Sequence, residues 1–246
     1  MTLLRITTPD EELPLRDDGD GFVHLSTANQ VLVPANAMPS YAGRTDLRLL
    51  VIDPQRVGEI RVELGFPHLY DELAADAVVD SVRLTPDDDG RFRLALVPMF
   101  AGEPPASELI DAMIDELTPL YGRIDGSRAP SASPAELWRP TGTFLVGWDE
   151  AGEVVCGGGL KRLDDDTAEI KRMFVAPAAR SRGHARRLLR GLEDAARDRG
   201  YSRVRLDTGP KQPHAAALYA SAGYVEIDDY NGNPNATYWG EKELAG

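Results

Sequence analysis

The residues Arg180 to Ala185, Arg-Ser-Arg-Gly-His-Ala, stand between a strand-like run, Ala168 to Val175, and a helix-like one that follows. A strand turning through small residues into a helix leaves the first-turn N–H groups without intrahelical partners, and the helix dipole favours negative charge at the same place. This spacing predicts a cradle for phosphate. From Lys171 to Gly200 the chain sets Lys171, Arg172, Arg180, Arg182, Arg186, Arg187, Arg190, Arg197 and Arg199 against only Glu193, Asp194 and Asp198, in a protein of formal net charge −13. The local reversal of sign points to a ligand carrying several phosphates rather than to nucleic acid. On charge alone, a solvated basic helix face with ordinary capping accounts for these residues equally well.

The elements that must position the loop are legible around it. From Gly183 a helix places Ala185, Leu188, Leu189, Leu192, Ala195 and Ala196 on one face, and Gly200 stops it. Ser202 to Thr208 makes the next strand, Pro213 to Ala222 a short helix ended by Gly223, and Tyr224 to Ile227 another strand. Upstream, Leu109, Ile110, Met113, Ile114 and Leu117 recur at helical spacing, with Ser107 as the cap and Pro119 and Gly122 as the stop. Arg123 to Pro140 is rich in turn formers, a usual place for an acceptor-binding lid. A hairpin follows around Asp149 to Gly152, its second strand bulged at Gly157, Gly158 and Gly159, and then an acidic loop, Asp164 to Asp166.

Composition sets the outer limits. The 246 residues are 42% apolar and 27% charged, enough for two domains with their own cores. The turn-forming stretch Pro98 to Pro105 divides them, and every lysine lies after it. The expectation is a smaller α+β domain over 1–98, a linker over 99–105 and a second domain over 106–246. No apolar run approaches the roughly 20 residues of a membrane span, and the N-terminus lacks the pattern of a signal peptide, so a soluble cytoplasmic protein without membrane partners is expected. Cys156, the only cysteine, excludes an intrachain disulfide and reads as a small buried apolar residue; no metal site is expected.

Arg180, Gly183 and Ala185, with the flanking Glu-Ile-Lys-Arg-Met-Phe-Val and Arg-Arg-Leu-Leu-Arg-Gly-Leu runs, resemble the pyrophosphate-binding motif of the GNAT N-acetyltransferase superfamily. The order of elements from Ser107 to Leu244 is similar too. The resemblance implies an α/β (α+β) domain with a mixed, mostly antiparallel sheet flanked by helices, and an enzyme using acetyl-CoA. By it, Arg180, Ser181, Arg182, Gly183, His184 and Ala185 hold the pyrophosphate, and Met173, Phe174 and Val175 offer backbone groups to the pantetheine arm. Ala185 stands where glycine is commoner, and His214 where relatives often carry a cofactor-contacting asparagine. Tyr219 occupies the position of the tyrosine that protonates the departing thiolate, or is a packed helix aromatic. Glu169 sits at the distance of a general base, or forms a structural ion pair with Lys171; alternation places Glu169, Lys171 and Met173 on one strand face. The acceptor implied is an amine, small or on a protein, and many relatives dimerise. Tyr230 to Trp239 borders the acceptor pocket or is a turn-rich hairpin.

The first domain resembles a small bacterial family of unknown function through Gly-Phe-Val-His-Leu-Ser-Thr at Gly21 to Thr27 and Phe-Pro-His-Leu-Tyr at Phe66 to Tyr70. His24 and His68, with Ser26, Thr27 and Tyr70, outline a second pocket, while two histidines without a third ligand make a poor metal site. Two further functions stay open: a non-catalytic acyl-CoA sensor regulating the first domain, and a nucleotide-related transferase activity in the first domain itself.

Overall fold

The computed structural model describes residues 2–16, 19–122 and 131–244. The chain forms two compact units, Met1–Pro98 with Gly147–Val154, and Met99–Val146 with Val155–Gly246. The tip of the hairpin at Asp149 to Gly152 is thus counted with the first unit, where the sequence suggested one uninterrupted stretch from 106 onward.

The first unit carries β1 (Leu3–Thr7), β2 (Val23–His24), β3 (Ser26–Thr27), the short helix α1 (Leu32–Ala37), β4 (Arg48–Ile52), β5 (Ile60–Glu63), β6 (Phe66–Leu69), β7 (Val78–Arg83) and β8 (Leu94–Pro98). Two antiparallel sheets form, in the orders β3-β1-β4-β7 and β2-β6-β5. Leu3, Leu50 and Ile52 from the first and Val23 and Leu69 from the second meet in one core with Leu25 and Leu73. Strand β1 is buried along its whole length, so no alternation marks it in the sequence.

The second unit carries α2 (Ala106–Tyr121), β9 (Thr143–Asp149), β10 (Val154–Arg162), β11 (Thr167–Val175), α3 (His184–Asp198), β12 (Arg203–Thr208), α4 (Pro213–Ser221), β13 (Val225–Glu226) and β14 (Tyr238–Glu243). The strands lie in the order β13-β14-β12-β11-β10-β9, and of the pairings from β10 to β14 only β11 with β12 is parallel. Helix α3 buries Leu188, Leu189, Leu192, Ala195 and Ala196 as its pattern requires. Helix α2 starts one residue before Ser107, behind Pro105, and no side chain caps it; it runs through Pro119 to stop at Gly122, whose φ of 76° suits only glycine well.

Residues 123–130 of the expected lid lie outside the described residues. In the remainder, Ser133 and Glu136 form a reciprocal capping box: the Ser133 N–H and hydroxyl both donate to Glu136 Oε2 at 2.8 Å, and the Glu136 N–H donates to Ser133 Oγ at 3.3 Å. This single turn places Leu137, 1% exposed, against Gly159, where a β-carbon would stand 2.6 Å from Leu137 Cδ2. At Gly157 it would meet Leu109 and Phe144 at 2.8 and 2.9 Å, and at Gly158 Leu192 and Met173 at 3.1 Å. The three glycines therefore let side chains from both faces approach the sheet closely.

The bulge itself belongs to the neighbouring strand. Gly157 pairs with Phe174 and Gly159 with Lys171, so two residues of β11, Arg172 and Met173, oppose the one residue Gly158. Arg172 takes φ 55°, and its guanidinium donates to Ser131 Oγ and Ala132 O at 3.1 and 2.9 Å, which helps hold the unusual backbone in place. The bulge breaks alternation. Glu169 and Lys171 share a face, while Met173 is turned to stand beside Leu192, correcting the expectation that all three lie together.

Gly142 is the tightest glycine of this unit: a β-carbon there would stand 2.0 Å from the Glu136 carbonyl oxygen and 2.8 Å from that of Leu160. Backbone cannot give way as a flexible side chain can. Gly142→Ala is expected to destabilise the protein by about 1–3 kcal/mol, the usual cost of overpacking, read as a lower denaturant midpoint at unchanged slope. An unchanged midpoint would show that the turn moves aside at no cost.

Candidate active site

Strands β11 and β12 are paired only from Thr167 with Arg203 to Glu169 with Arg205, although both continue for several residues. Past that point they part. A cleft of about 180 Å³ opens there, walled by Ile170 to Met173 on one side and by Asp207, Thr208 and Gly209 on the other. Helix α2 closes it with Met113, Leu117 and Tyr121, helix α4 with Ala215 and Tyr219, and Gln212, Asn233 and Asn235 complete the lining.

Tyr219 is 6% exposed, and its hydroxyl lies 3.9 Å from the Met173 thioether, a weak acceptor. Burial, reinforced by the charges of Asp207 and of a Tyr238 phenolate, pushes the phenol well above the ordinary tyrosine range. It holds its proton at any physiological pH, as a proton donor must.

Glu169 lies beneath the cleft and not in its wall. It is 1% exposed, and its Oε1 accepts from the Tyr230 hydroxyl at 2.7 Å, from Asn231 Nδ2 at 3.0 Å and from Lys171 Nζ at 3.0 Å, with Lys161 Nζ 3.5 Å from Oε2. The ion pair with Lys171 open at the sequence level is therefore present. Lys171 also donates to Asp207, and Asn231 and Asn233 donate to Asp207 Oδ2 at 2.6 and 3.1 Å. Burial and the Glu169 charge raise the Tyr230 phenol far above its ordinary value, so that it stays a donor in this network.

The loop before α3 has the conformation of an anion cradle. Ser181 has φ 62° and Gly183 φ 82°, and Gly183 O accepts the N–H groups of Arg186 and Arg187, which begins the helical ladder and leaves the N–H groups of Arg182, Gly183 and Ala185 ahead of it. A β-carbon on Gly183 would stand 3.0 Å from Arg187 Nη1. Arg182 is exposed, the His184 ring is buried, and Arg186 donates to Ser221 Oγ at 2.8 Å. Arg180 points elsewhere: both oxygens of Glu116 on α2 bind its guanidinium, at 2.8 and 2.6 Å, and its Nε donates to Val175 O. His214 is exposed in the first turn of α4 and does not line the cleft. The residues present fit acetyl-CoA: the loop's left-handed turns ahead of a helix suit a pyrophosphate, and the edge of β11 from Ile170 to Val175 is released from β12. Cys156 is fully buried, which raises its thiol to about 12 and removes it as a nucleophile.

Asp207, Gln212, Tyr121 and Asn235 were missed as individual site residues at the sequence level. The one available signal was the Asn-rich run from Tyr230 to Trp239, which does supply Asn233 and Asn235 to the cleft.

In the first unit, His24 and His68 face each other across β2 and β6 with ring centroids 5.3 Å apart. Phe22 stacks on His68 at 4.0 Å and lies 5.4 Å from Tyr70, whose hydroxyl donates to Glu63 at 2.9 Å. His24 Nε2 is 3.7 Å from Asp20, and His68 Nδ1, buried and without a hydrogen bond among the described residues, is 3.7 Å from Glu63. Ser26 is not with them: it is buried in β3, opposite Leu4 of β1 in the other sheet. Among the described residues no group of three or more His, Cys, Asp or Glu side chains could hold a metal ion, and no helix is long and apolar enough to cross a membrane.

The model of the acetyltransferase (GNAT) family matches residues 110–224, and that of a protein family of unknown function, DUF952, matches residues 9–81. A protein named IAA acetyltransferase from Azospirillum brasilense is 33% identical over 127 residues, covering 51% of this chain and 83% of that protein. The uncharacterized N-acetyltransferase YedL of Escherichia coli K12 is 36% identical over 109 residues, 42% of this chain and 67% of its own length. The crystal structure of a GNAT acetyltransferase from Staphylococcus aureus Mu50 superposes with a TM-score of 0.51 at 18% identity, covering 62% of this chain and 99% of that one, a likeness of fold. With the cradle, the parted strands and these relatives together, the chain belongs to the GNAT family, as an acetyltransferase that uses acetyl-CoA and carries a DUF952 domain ahead of its catalytic one.

Proposed function

We propose that the protein is a cytoplasmic N-acetyltransferase that moves an acetyl group from acetyl-CoA to a primary amine by direct attack in a ternary complex. One observation carries this reading: a buried phenol, Tyr219, faces the cleft opened by the parting of β11 and β12. The loop from Ser181 to Ala185 holds the pyrophosphate, and the released edge of β11 at Met173 to Val175 holds the arm and orients the acyl carbonyl. When bound, acetyl-CoA supplies an activated acyl group. Tyr219 Oη delivers a proton to the sulfur that leaves, and Glu169, Lys171, Tyr230 and Asn231 keep the cleft floor rigid. The net charge of −13 favours a cationic acceptor over a polyanion.

The test is thiol release from acetyl-CoA in the presence of a panel of primary amines, with acetylated product read by mass. Amine-dependent release is expected. Tight acetyl-CoA binding without transfer to any amine would replace the enzyme with the acyl-CoA sensor.

The facing imidazoles favour a second reading for the first unit, a nucleotide-related activity of its own. Titration of nucleotides into the protein and its His24→Ala and His68→Ala variants tests it, and identical responses would remove it.

A further inference from the structure

The cleft needs a group that takes a proton from the acceptor, because an alkylamine reaches the site as an ammonium ion, whose nitrogen has no lone pair to attack with. Of the described residues that line the cleft, Asp207 is the only carboxylate. Its side chain is 9% exposed against 1% for Glu169, and Glu169 does not reach the wall. Asp207 sits on β12 just beyond the last pairing with β11, so the parting of the strands turns it toward the space that Tyr219 enters from α4.

Resting on the acetyltransferase reading above, we infer that Asp207 is the catalytic base, accepting the acceptor's ammonium proton in the same cleft in which Tyr219 acts as the acid. The groups around Asp207 fix its position at the cleft wall. Lys171 from β11 donates to both of its oxygens at 3.2 and 3.1 Å, and Asn231 and Asn233 fix Oδ2, so the carboxylate is held without rotamer freedom. Glu169 shares the same lysine from below, and its own contacts to Tyr230 and Asn231 complete a network that holds Asp207 from behind. The Asp207 charge adds to burial in keeping the Tyr219 phenol protonated. A carboxylate and a phenol with opposite proton tasks in one cleft form an acid–base pair set by environment.

The step balances as follows. The ammonium gives one proton to Asp207, and the freed nitrogen lone pair forms the C–N bond. The C–S bond breaks with its electron pair going to sulfur, which takes the Tyr219 proton. The second proton lost from nitrogen restores the phenol, and Asp207 returns its proton to solvent. The acceptor class that needs this device is the strongly basic alkylamine. A weakly basic nitrogen such as that of hydroxylamine is already neutral near pH 7 and does not need it.

The experiment measures kcat/KM of the full-length wild type and of Asp207→Asn with n-alkylamines and with hydroxylamine, with acetyl-CoA affinity taken by calorimetry in each. Asp207→Asn is expected to lose about 100-fold or more with alkylamines and less than about tenfold with hydroxylamine, at wild-type acetyl-CoA affinity. Equal losses with both nucleophiles would show a merely structural role and overturn the assignment, as would no loss. Should the asparagine variant no longer bind acetyl-CoA, Asp207→Glu keeps a carboxylate at a displaced position, and an unchanged ratio of alkylamine to hydroxylamine rates there overturns the assignment. A wild type that binds acetyl-CoA and acetylates neither nucleophile overturns the transferase reading itself, and this inference with it.

Discussion

Tyr219→Phe is expected to lower kcat by about 100- to 1,000-fold, within the usual range for losing a general acid, while acetyl-CoA affinity changes less than threefold. The substitution removes one oxygen and leaves the ring, whose packing against Tyr224 and Tyr238 at 5.8 and 6.5 Å is kept. That oxygen does little for the fold, since its nearest acceptor is the Met173 sulfur at 3.9 Å. A hydroxyl buried with so weak a partner costs stability rather than adding to it. The pH behaviour separates chemistry from packing. The Tyr219 phenol is raised in the folded state by burial and then by Asp207, so its titration leaves stability unchanged below the unfolded tyrosine value of about 10 and lowers it as pH rises above that value. Tyr219→Phe should therefore be relatively more stable than wild type above that pH, and slower than wild type at every pH. Single-turnover thiol release and alkaline denaturant titrations measure the two effects. A kcat within threefold of wild type would make Tyr219 a packing residue and leave the thiolate to be protonated by solvent.

How much of this was legible in the sequence follows from which features are local. The loop and α3 are encoded within some twenty residues, a small-residue turn and a 3.6-residue apolar repeat, and the structure places them accordingly. The start of α2 was displaced because Ser107 donates its N–H to Glu103 O and is already the second residue of a helix that Pro105 leads into without any capping side chain. That Met173 leaves the face of Glu169 and Lys171 could not be read, because alternation assumes an unbroken strand and the extra residue at Arg172 depends on Ser131 and Ala132, forty residues away. Asp207 was invisible for a similar reason. Its access to the cleft arises from the parting of two strands that are sequence-distant, and a lone aspartate near a strand end carries no sign of that. In the first unit, nearness within one motif grouped Ser26 with His24, yet the chain passes between His24 and Ser26 from one sheet to another. Motifs showed what chemistry was available; pairing that ends early decided which side chains reach it.

Gly183→Asp is expected to weaken acetyl-CoA binding by about 100-fold or more, which is about 2.7 kcal/mol, with a change in folding stability of only about 1 kcal/mol. Two opposing terms meet in the fold. A left-handed φ of 82° penalises any L-residue by about 1–2 kcal/mol, and a β-carbon would crowd Arg187 Nη1 at 3.0 Å. A carboxylate there would in turn attract that guanidinium and interact favourably with the positive end of the helix dipole. No such offset exists for the ligand. The new charge would sit where the pyrophosphate must lie, and repulsion between unit charges 4 Å apart near a protein surface is of order 4 kcal/mol. Arg180→Ala provides the contrast. Its guanidinium is engaged by Glu116 in a half-exposed ion pair, of a kind worth about 0–1 kcal/mol, so acetyl-CoA affinity should fall less than tenfold. Calorimetric titration of acetyl-CoA at two salt concentrations measures both. If Arg180→Ala lost as much affinity as Gly183→Asp, Arg180 would have to leave Glu116 and turn onto the phosphates when acetyl-CoA binds. If neither variant lost affinity, the anion would be held by something other than the backbone of this loop.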